Sequence, residues 1–407
     1  MTNTYKKLDI FLLFCVFGLI TLGLLALYSS SNTALEQGIG ANYFIKQSVW
    51  VIIGLIILIG IYFLPLRWIL DSAYPLYGIS ILLLIFVIFF GNKGQGAERW
   101  LHFGPIFFQP SEFAKLATIL AVAKFISKDD IDLNSFKDFS VSAFFFILPF
   151  ILIIRQPDLG TALVFCAMAL PMLYWAGLRF SNLFLILMPF FIMLASFQFY
   201  TFLVLMVLLV FYLLYSKRSQ VIVIVNFLVN IFMGLITPVL WNNLKPYQKN
   251  RIKIFVNPEA DPQGAGYQII QSKVAIGSGG LFGKGFMQGS QTQLRFLPEQ
   301  HTDFICAVIG EEFGFVGILI GLILYVTLFI RGIQIAGMVK NKYSSIVAIG
   351  IVTVLSFHVL INIGMTIGLL PVTGLPLPFI SYGGSSLLTN IIMIGILMNI
   401  FKNRYEY

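Results

Sequence analysis

Asp303 ends a polar stretch, FLPEQHTDF, at the point where a long apolar run begins. A carboxylate there suits two roles. It can accept backbone N–H bonds at a helix start and complement the helix dipole. It can also serve as a general base in a partly desolvated pocket, where burial raises its pKa and basic neighbours lower it. Spacing alone leaves both open. His301, two residues earlier, suits a proton carrier. As a metal ligand it would need partners, and the other histidines, His102 and His358, stand far off in sequence, so no zinc site is expected. Glu311 and Glu312 lie about two turns further on and are expected to pair or to face a cavity.

Basic residues crowd the segment before Asp303. Lys245, Lys249, Arg251, Lys253, Lys273, Lys284 and Arg295 all fall between Trp241 and Asp303. They read either as a solvated, headgroup-binding face or as a surface for an anionic substrate. Residues 245–256, KPYQKNRIKIFV, mix basic and apolar positions as an interfacial helix would. Residues 257–267 form a Pro- and Gly-bearing turn region, and 269–285 a short helix broken by glycines. The glycines lack the Walker pattern, and no nucleotide fingerprint is present.

Three further groupings carry charge or irregular backbone. In residues 96–117, Pro110 marks a helix start with Ser111 as its expected cap. Glu112 and Lys115 share a helix face and can neutralise each other, and Arg99 can meet a phosphate. In RQPDLGTA, 155–162, a tight hairpin with Arg155 and Asp158 as a charged pair is the simplest account. Residues 369–386, LLPVTGLPLPFISYGGSS, are too rich in Pro and Gly for regular helix. Such backbone persists at membrane depth only where it lines protein or a water-filled cavity.

The elements that position these residues are membrane helices. Of 407 residues, 58% are hydrophobic and 11% charged, against about 25% charged in soluble domains. Twelve apolar runs are long enough to suggest crossings: 9–28, 47–65, 73–91, 111–127, 140–155, 158–176, 180–197, 199–215, 220–240, 304–330, 345–367 and 385–401. The fourth and fifth are the weakest. The run after Lys6 and Lys7 is too long for a signal-peptide core and is read as a retained first helix. With the N-terminus inside, Arg67, Lys128, Lys137, Arg179, Lys217, Arg218, Arg331, Lys340, Lys342, Lys402 and Arg404 all fall inside, as does the C-terminus. The net charge of +9 then reflects this bias rather than a nucleic-acid partner. Two segments rich in charge stand outside, 91–109 and 241–303. Cys15, Cys166 and Cys306 have no metal-like spacing and read as small buried hydrophobes.

Taken in order, GAERWLHFGPIFFQPSEFAK, QPDLGTA, DPQGAGYQIIQSKVAIGSGGLFGKG, LPEQHTDFICAV and LPVTGLPLPFISYGGSS resemble the SEDS (shape, elongation, division and sporulation) family of peptidoglycan polymerases over nearly the whole chain. Within it, GYQIIQSKVAIGSGG, GKGFMQGSQTQL and LPVTGLPLP resemble the elongation branch more than the division branch. The resemblance implies one integral-membrane domain, 1–407, in the bacterial inner membrane, which polymerises lipid II at the outer face beside a class B penicillin-binding protein. It maps the family's essential acidic residue onto Asp303. Arg99, Glu112, Lys115, Lys273, Lys284, Arg295 and His301 are the candidate substrate-binding residues. A divalent cation, Mg or Mn, is possible, but no dedicated protein cage for one is visible. The family has ten spans where this chain shows twelve. The excess falls in 180–240, as an added pair that leaves the topology on either side unchanged. A lipid II flippase is the main rival reading, because broken helices and many spans also suit transport. A non-catalytic scaffold for the penicillin-binding protein is the other.

Overall fold

A computed structural model describes residues 8–36, 42–94, 97–103, 106–215, 220–244, 249–250, 254, 257, 261–262 and 266–405, with the side chains of 32–36, 92–98 and 102–106 outside the description. Each of the twelve apolar runs falls on a helix. They are α1 (Ile10–Glu36), α2 (Tyr43–Phe63), α3 (Leu66–Phe90), α4 (Pro110–Ile126), α5 (Phe136–Arg155), α6 (Leu159–Trp175), α7 (Phe180–Ala195), α8 (Phe199–Tyr215), α9 (Gln220–Asn243), then α12 (Ile305–Met338), α13 (Lys342–Thr366) and α14 (Gly384–Lys402). Two shorter helices, α10 (Tyr267–Gly279) and α11 (Ser290–Gln293), lie in the long segment before Asp303. Eight of these helices are long and apolar enough to cross a membrane; α6, α7 and α8 are apolar but shorter. α4 has 17 residues and is almost wholly buried, including Glu112 and Lys115. α5, expected to be weak, is among the eight.

The architecture is nearly, not purely, helical. β1 (Asn92–Gly94), β2 (Ala97–Phe103) and β3 (Ile106–Phe108) form an antiparallel sheet in the order β1-β2-β3. Leu101 sits opposite Phe108 and Phe103 opposite Ile106. A small open sheet of this kind is tolerated where water can reach its edges and not in lipid.

Local chemistry sets the helix starts. Asn42, Ser135, Asp158 and Asn341 each accept a backbone N–H three residues on, from Ile45, Asp138, Thr161 and Ser344. α4 departs from expectation: Gln109 is its N-cap and Ser111 lies inside the first turn, buried. The fixed φ of Pro110 makes it the first helical residue, so the cap falls on Gln109, two positions before Ser111.

α13 and α14 are the centre of the bundle. About three quarters of their apolar length is buried inside the protein (72% and 78%), against 17% for α9. α14 lies along α2, α12 along α1, and α13 against α6, α4 and α12. The largest apolar core runs through these helices. α7, α8 and α9 pack on one another and hold a separate small core of Leu185, Met188, Ile192, Leu209 and Leu213.

α12 is broken at Gly314, whose φ of 68° and ψ of −162° are not helical. A break inside a membrane helix frees backbone groups that must be satisfied by protein. Residues 280–285 supply the partners. Lys284 and Gly285 donate N–H groups to the Glu311 and Glu312 carbonyls, at 3.0 and 3.1 Å. Phe315 and Val316 donate to the Gly280 and Leu281 carbonyls, at 2.9 and 3.1 Å. The glycines are required by contact: a Cβ on Gly279 would stand 1.9 Å from the Gly310 carbonyl oxygen.

Candidate active site

Asp303 stands in a run of turns just before α12, half-buried. The N-cap position of that helix is Phe304, and no side-chain bond caps it. Backbone strain precedes it. Arg295 and Glu299 both adopt left-handed conformations, φ 56° and 53°, which non-glycine residues hold only when their surroundings enforce them.

The irregular segment 371–383, between α13 and α14, wraps this turn. Tyr382 N–H donates to the His301 carbonyl (2.9 Å). Ser381 Oγ donates to the Thr302 carbonyl (2.6 Å) and accepts from Leu377 N–H (2.8 Å). Asn362 of α13 uses one amide nitrogen for two carbonyls, those of Asp303 (2.9 Å) and Leu375 (2.8 Å). The Asp303 carboxylate faces Gly374, where φ is 77° and a Cβ would lie 3.5 Å from Oδ2. Gln47 of α2 completes the clasp: its amide donates to the Ser381 carbonyl (3.0 Å) and its Oε1 accepts from Gly383 N–H (3.3 Å). The Pro- and Gly-rich sequence is thus irregular because it lines protein, as expected for backbone of this composition.

His301 stacks on Tyr43, with ring centroids 4.0 Å apart and planes inclined by 15°, and Tyr382 meets Tyr43 edge-on. Burial holds the His301 imidazole below its ordinary value; Glu299 acts against this and Arg295 with it. His301 therefore stands as a neutral ring at neutral pH, able to accept a proton.

The other candidate residues divide by what they touch. Lys273, on α10, is exposed and lies against the backbone of Gly368, where a Cβ would meet its Nζ at 2.6 Å. Like Asp303 it borders the α13–α14 connection. Arg295 is half-buried in the turn that leads to Asp303. Lys284 is committed elsewhere: it pairs with the buried Glu311 carboxylate at 2.9 Å and donates to Ser290 at 2.7 Å. Glu311 also accepts from the N–H groups of Gln291 and Thr292, so it fixes α11 on α12. Glu312 accepts from Ser29 of α1. Arg99 donates to the Pro157 carbonyl at 2.5 Å and lies 3.6 Å from the Asp158 carboxylate. The charged pair at the 155–162 hairpin is therefore Arg99–Asp158. Asp158 caps α6 through Thr161, while Arg155 is exposed at the end of α5.

Glu112 and Lys115 form a buried ion pair of 2.8 Å inside α4. Lys115 also reaches His358 Nε2 at 3.0 Å, a contact that sequence spacing did not suggest. Lys245, Arg251 and Lys253, with most of the 245–256 stretch, lie outside the described residues. Among the described residues, no three His, Cys, Asp or Glu side chains gather as metal ligands would.

Sequence reasoning overlooked Asn362, Ser381, Gln47 and Tyr43. A signal existed for Asn362, an amide inside an apolar run, because polar groups there are held by partners. The others lie at run ends, where polar residues are commonplace.

Comparison with known proteins places the chain in a family. The family pattern of the FtsW/RodA/SpoVE cell cycle proteins matches residues 10–203 and 182–406, two stretches that overlap within α7 and α8. The peptidoglycan glycosyltransferase MrdB of Escherichia coli K12 is 38% identical over 398 residues, covering 98% of this chain and 94% of that one. The peptidoglycan glycosyltransferase RodA of Treponema pallidum is 36% identical over 422 residues, covering 96% and 97%. Among solved structures, a chain of a peptidoglycan synthase complex described as coordinating polymerization and crosslinking superposes with a TM-score of 0.75. It is 30% identical and covers 98% of this chain and 99% of that one. The rod shape determining protein RodA of Thermus thermophilus gives 0.66, at 27% identity and full coverage of both chains. The similarity to MrdB spans nearly the whole length of both chains, and the chain belongs to the FtsW/RodA/SpoVE family.

Proposed function

We propose that this protein is a peptidoglycan glycosyltransferase of the RodA type, which polymerises lipid II at the outer face of the bacterial inner membrane with Asp303 as general base. The observation that carries the reading is convergence. Asp303, His301, Lys273 and Arg295 gather around the α13–α14 connection, and Arg99 and Asp158 stand at the same end of the bundle through Gln109, which approaches both Asp158 and Ser385. The residues assigned inside meet at the other end: Arg331 with Asp9, Lys340 with Arg404, Lys402 with Tyr62. Twelve crossings with both termini in the cytoplasm account for both groupings, and they put residues 241–303 outside. A flippase would want ionisable groups along the whole path. Here, among the described residues, the exposed ones sit at the two ends of the bundle, and the buried Glu112 and Glu311 are paired, with Lys115 and with the half-buried Lys284.

The chemistry follows from the substrate. The donor sugar carries an α-linked pyrophosphate and the product bond is β, so one displacement with inversion suffices. Asp303 takes the proton of the acceptor 4-hydroxyl as that oxygen bonds to the donor's anomeric carbon. The bond to the pyrophosphate oxygen breaks, and the lipid pyrophosphate leaves with the electron pair. General base catalysis contributes roughly 10²–10⁴-fold, and the rest comes from positioning and from charge on the leaving group. Lys273, exposed beside the α13–α14 connection, is the cation best placed for that charge; Lys284, Lys115 and Arg99 already hold protein partners. A class B penicillin-binding protein is the partner this reading implies, consistent with a structural relative that belongs to a synthase complex.

The decisive assay is glycan-strand formation from purified lipid II in detergent, where no sealed bilayer exists and flipping cannot be scored. The protein is expected to polymerise, and Asp303→Asn to lose activity by at least about 100-fold while remaining folded. Full activity in Asp303→Asn would sink the base assignment. Absence of strands from the protein, alone and with its transpeptidase, would favour the transporter.

A further inference from the structure

His358 has no role in the chemistry above, yet it sits fully inside the bundle, 1% exposed, between an ion pair and the segment that faces Asp303. Its two ring nitrogens are both engaged. Lys115 Nζ stands 3.0 Å from Nε2, and the Pro376 carbonyl 3.3 Å from Nδ1. The lysine ammonium has no acceptor lone pair, so Nε2 accepts and Nδ1 carries the ring proton and donates to Pro376. Glu112 holds the same ammonium from the other side at 2.8 Å. Four residues on, and so on the same face of α13, Asn362 binds the Leu375 and Asp303 carbonyls. Two successive carbonyls of the 371–383 segment are thus fixed by one helix face, directly after Gly374, the residue the Asp303 carboxylate faces.

We infer that His358 is a positioning residue for the polymerisation reaction. It couples the buried Glu112–Lys115 pair in α4 to the Leu375–Pro376 backbone, and through that backbone sets the place of the Asp303 carboxylate. This rests on Asp303 being the base. It gives the buried pair a task, orienting a ring, that direct contact with substrate would not require. It also explains why a donor–acceptor ring, rather than an apolar side chain, fills this position. A satisfied core histidine of purely structural value would serve stability and leave turnover in the folded protein unchanged.

The test compares His358→Leu with His358→Gln in purified, full-length protein, using lipid II in detergent. Leucine fills the volume but leaves Lys115 and Pro376 without their partner. Glutamine keeps both contacts, its carbonyl accepting and its amide donating. Displacing a reacting group by about 1 Å can cost up to about 100-fold. His358→Leu is therefore expected to lower kcat about 10–100-fold with KM nearly unchanged, and His358→Gln to stay within a few-fold of wild type. Hydrogen exchange in the 371–383 peptide should quicken in the leucine variant only. Wild-type turnover in folded His358→Leu overturns the inference. So does equal loss in both variants, or a loss that tracks melting temperature alone. Asp303→Asn measured beside them separates the two claims. If it keeps polymerising while His358→Leu does not, the base assignment fails and the hold on the loop stands.

Discussion

His301 links geometry to pH. Its folded pKa lies below the ordinary histidine value because the ring is buried against Tyr43 and Tyr382. In the window just below about pH 6.5 the unfolded chain then binds a proton that the native protein does not. Native stability is fully present above that window and falls as pH drops through it, with the sign set by the unfolded state binding more protons. His301→Gln is expected to flatten this dependence. Melting temperatures in detergent between about pH 5 and 7.5 would check it, and an unchanged slope in the variant would exclude His301 as the source. The same residue shows what was legible beforehand. HTDF announced an acid and a base at a helix entrance. It did not reveal that Tyr43, about 260 residues away, stacks on the histidine, because no local spacing encodes a contact between distant elements.

At the scale of elements, glycines decide how the segment before Asp303 is joined to α12. Gly279 approaches the Gly310 carbonyl, and Gly283 (φ 81°) approaches that of Glu312. Gly277, two residues before Gly279, has open space where a side chain would go. Gly279→Ala should therefore cost about 1–3 kcal/mol or more through forced backbone separation. Gly277→Ala, in the interior of α10, should be neutral or stabilise by about 0.5–1 kcal/mol. Thermal melting of both variants checks the contrast, and equal melting temperatures would contradict the packing described. Glycine content marked this region in the sequence as one of close approach. The insertion of 280–285 into a broken helix was not legible, because hydropathy reads α12 as one uninterrupted run. The three-strand sheet was missed for a related reason: AERWLHF is short and does not alternate strictly, with Glu98 and Arg99 polar neighbours and Trp100 and Leu101 apolar ones, and apolar runs overshadow it on either side.

For the whole molecule, apolar run length located every long helix, since burial of backbone in lipid leaves few alternatives. It did not rank them. α13 and α14 are central and α9 is peripheral, a difference made by packing rather than by hydropathy. The twelve-crossing arrangement is open to direct test. In a variant lacking Cys15, Cys166 and Cys306, a single cysteine at Gln198, between α7 and α8, should react with a membrane-impermeant maleimide added outside intact cells. A cysteine at Leu294 should react likewise, and one at Lys340 only after permeabilisation. Protection of Gln198→Cys in intact cells would show that α7 and α8 do not form a crossing pair.

The break at Gly314 also has a consequence for encounter. At 1.5 Å per residue the portion of α12 beyond the break, Phe315–Met338, measures about 36 Å, enough for the roughly 30 Å hydrocarbon layer without help from the outer portion. In the proposed topology the remaining portion is left at headgroup depth, with Asp303 just above it. The proposed substrate, anchored by a lipid tail, would carry its pyrophosphate at that same depth. Enzyme and substrate then meet by diffusion in a shared plane, and what sets the rate of supply is molecules per unit area of leaflet, not concentration in a volume of solution.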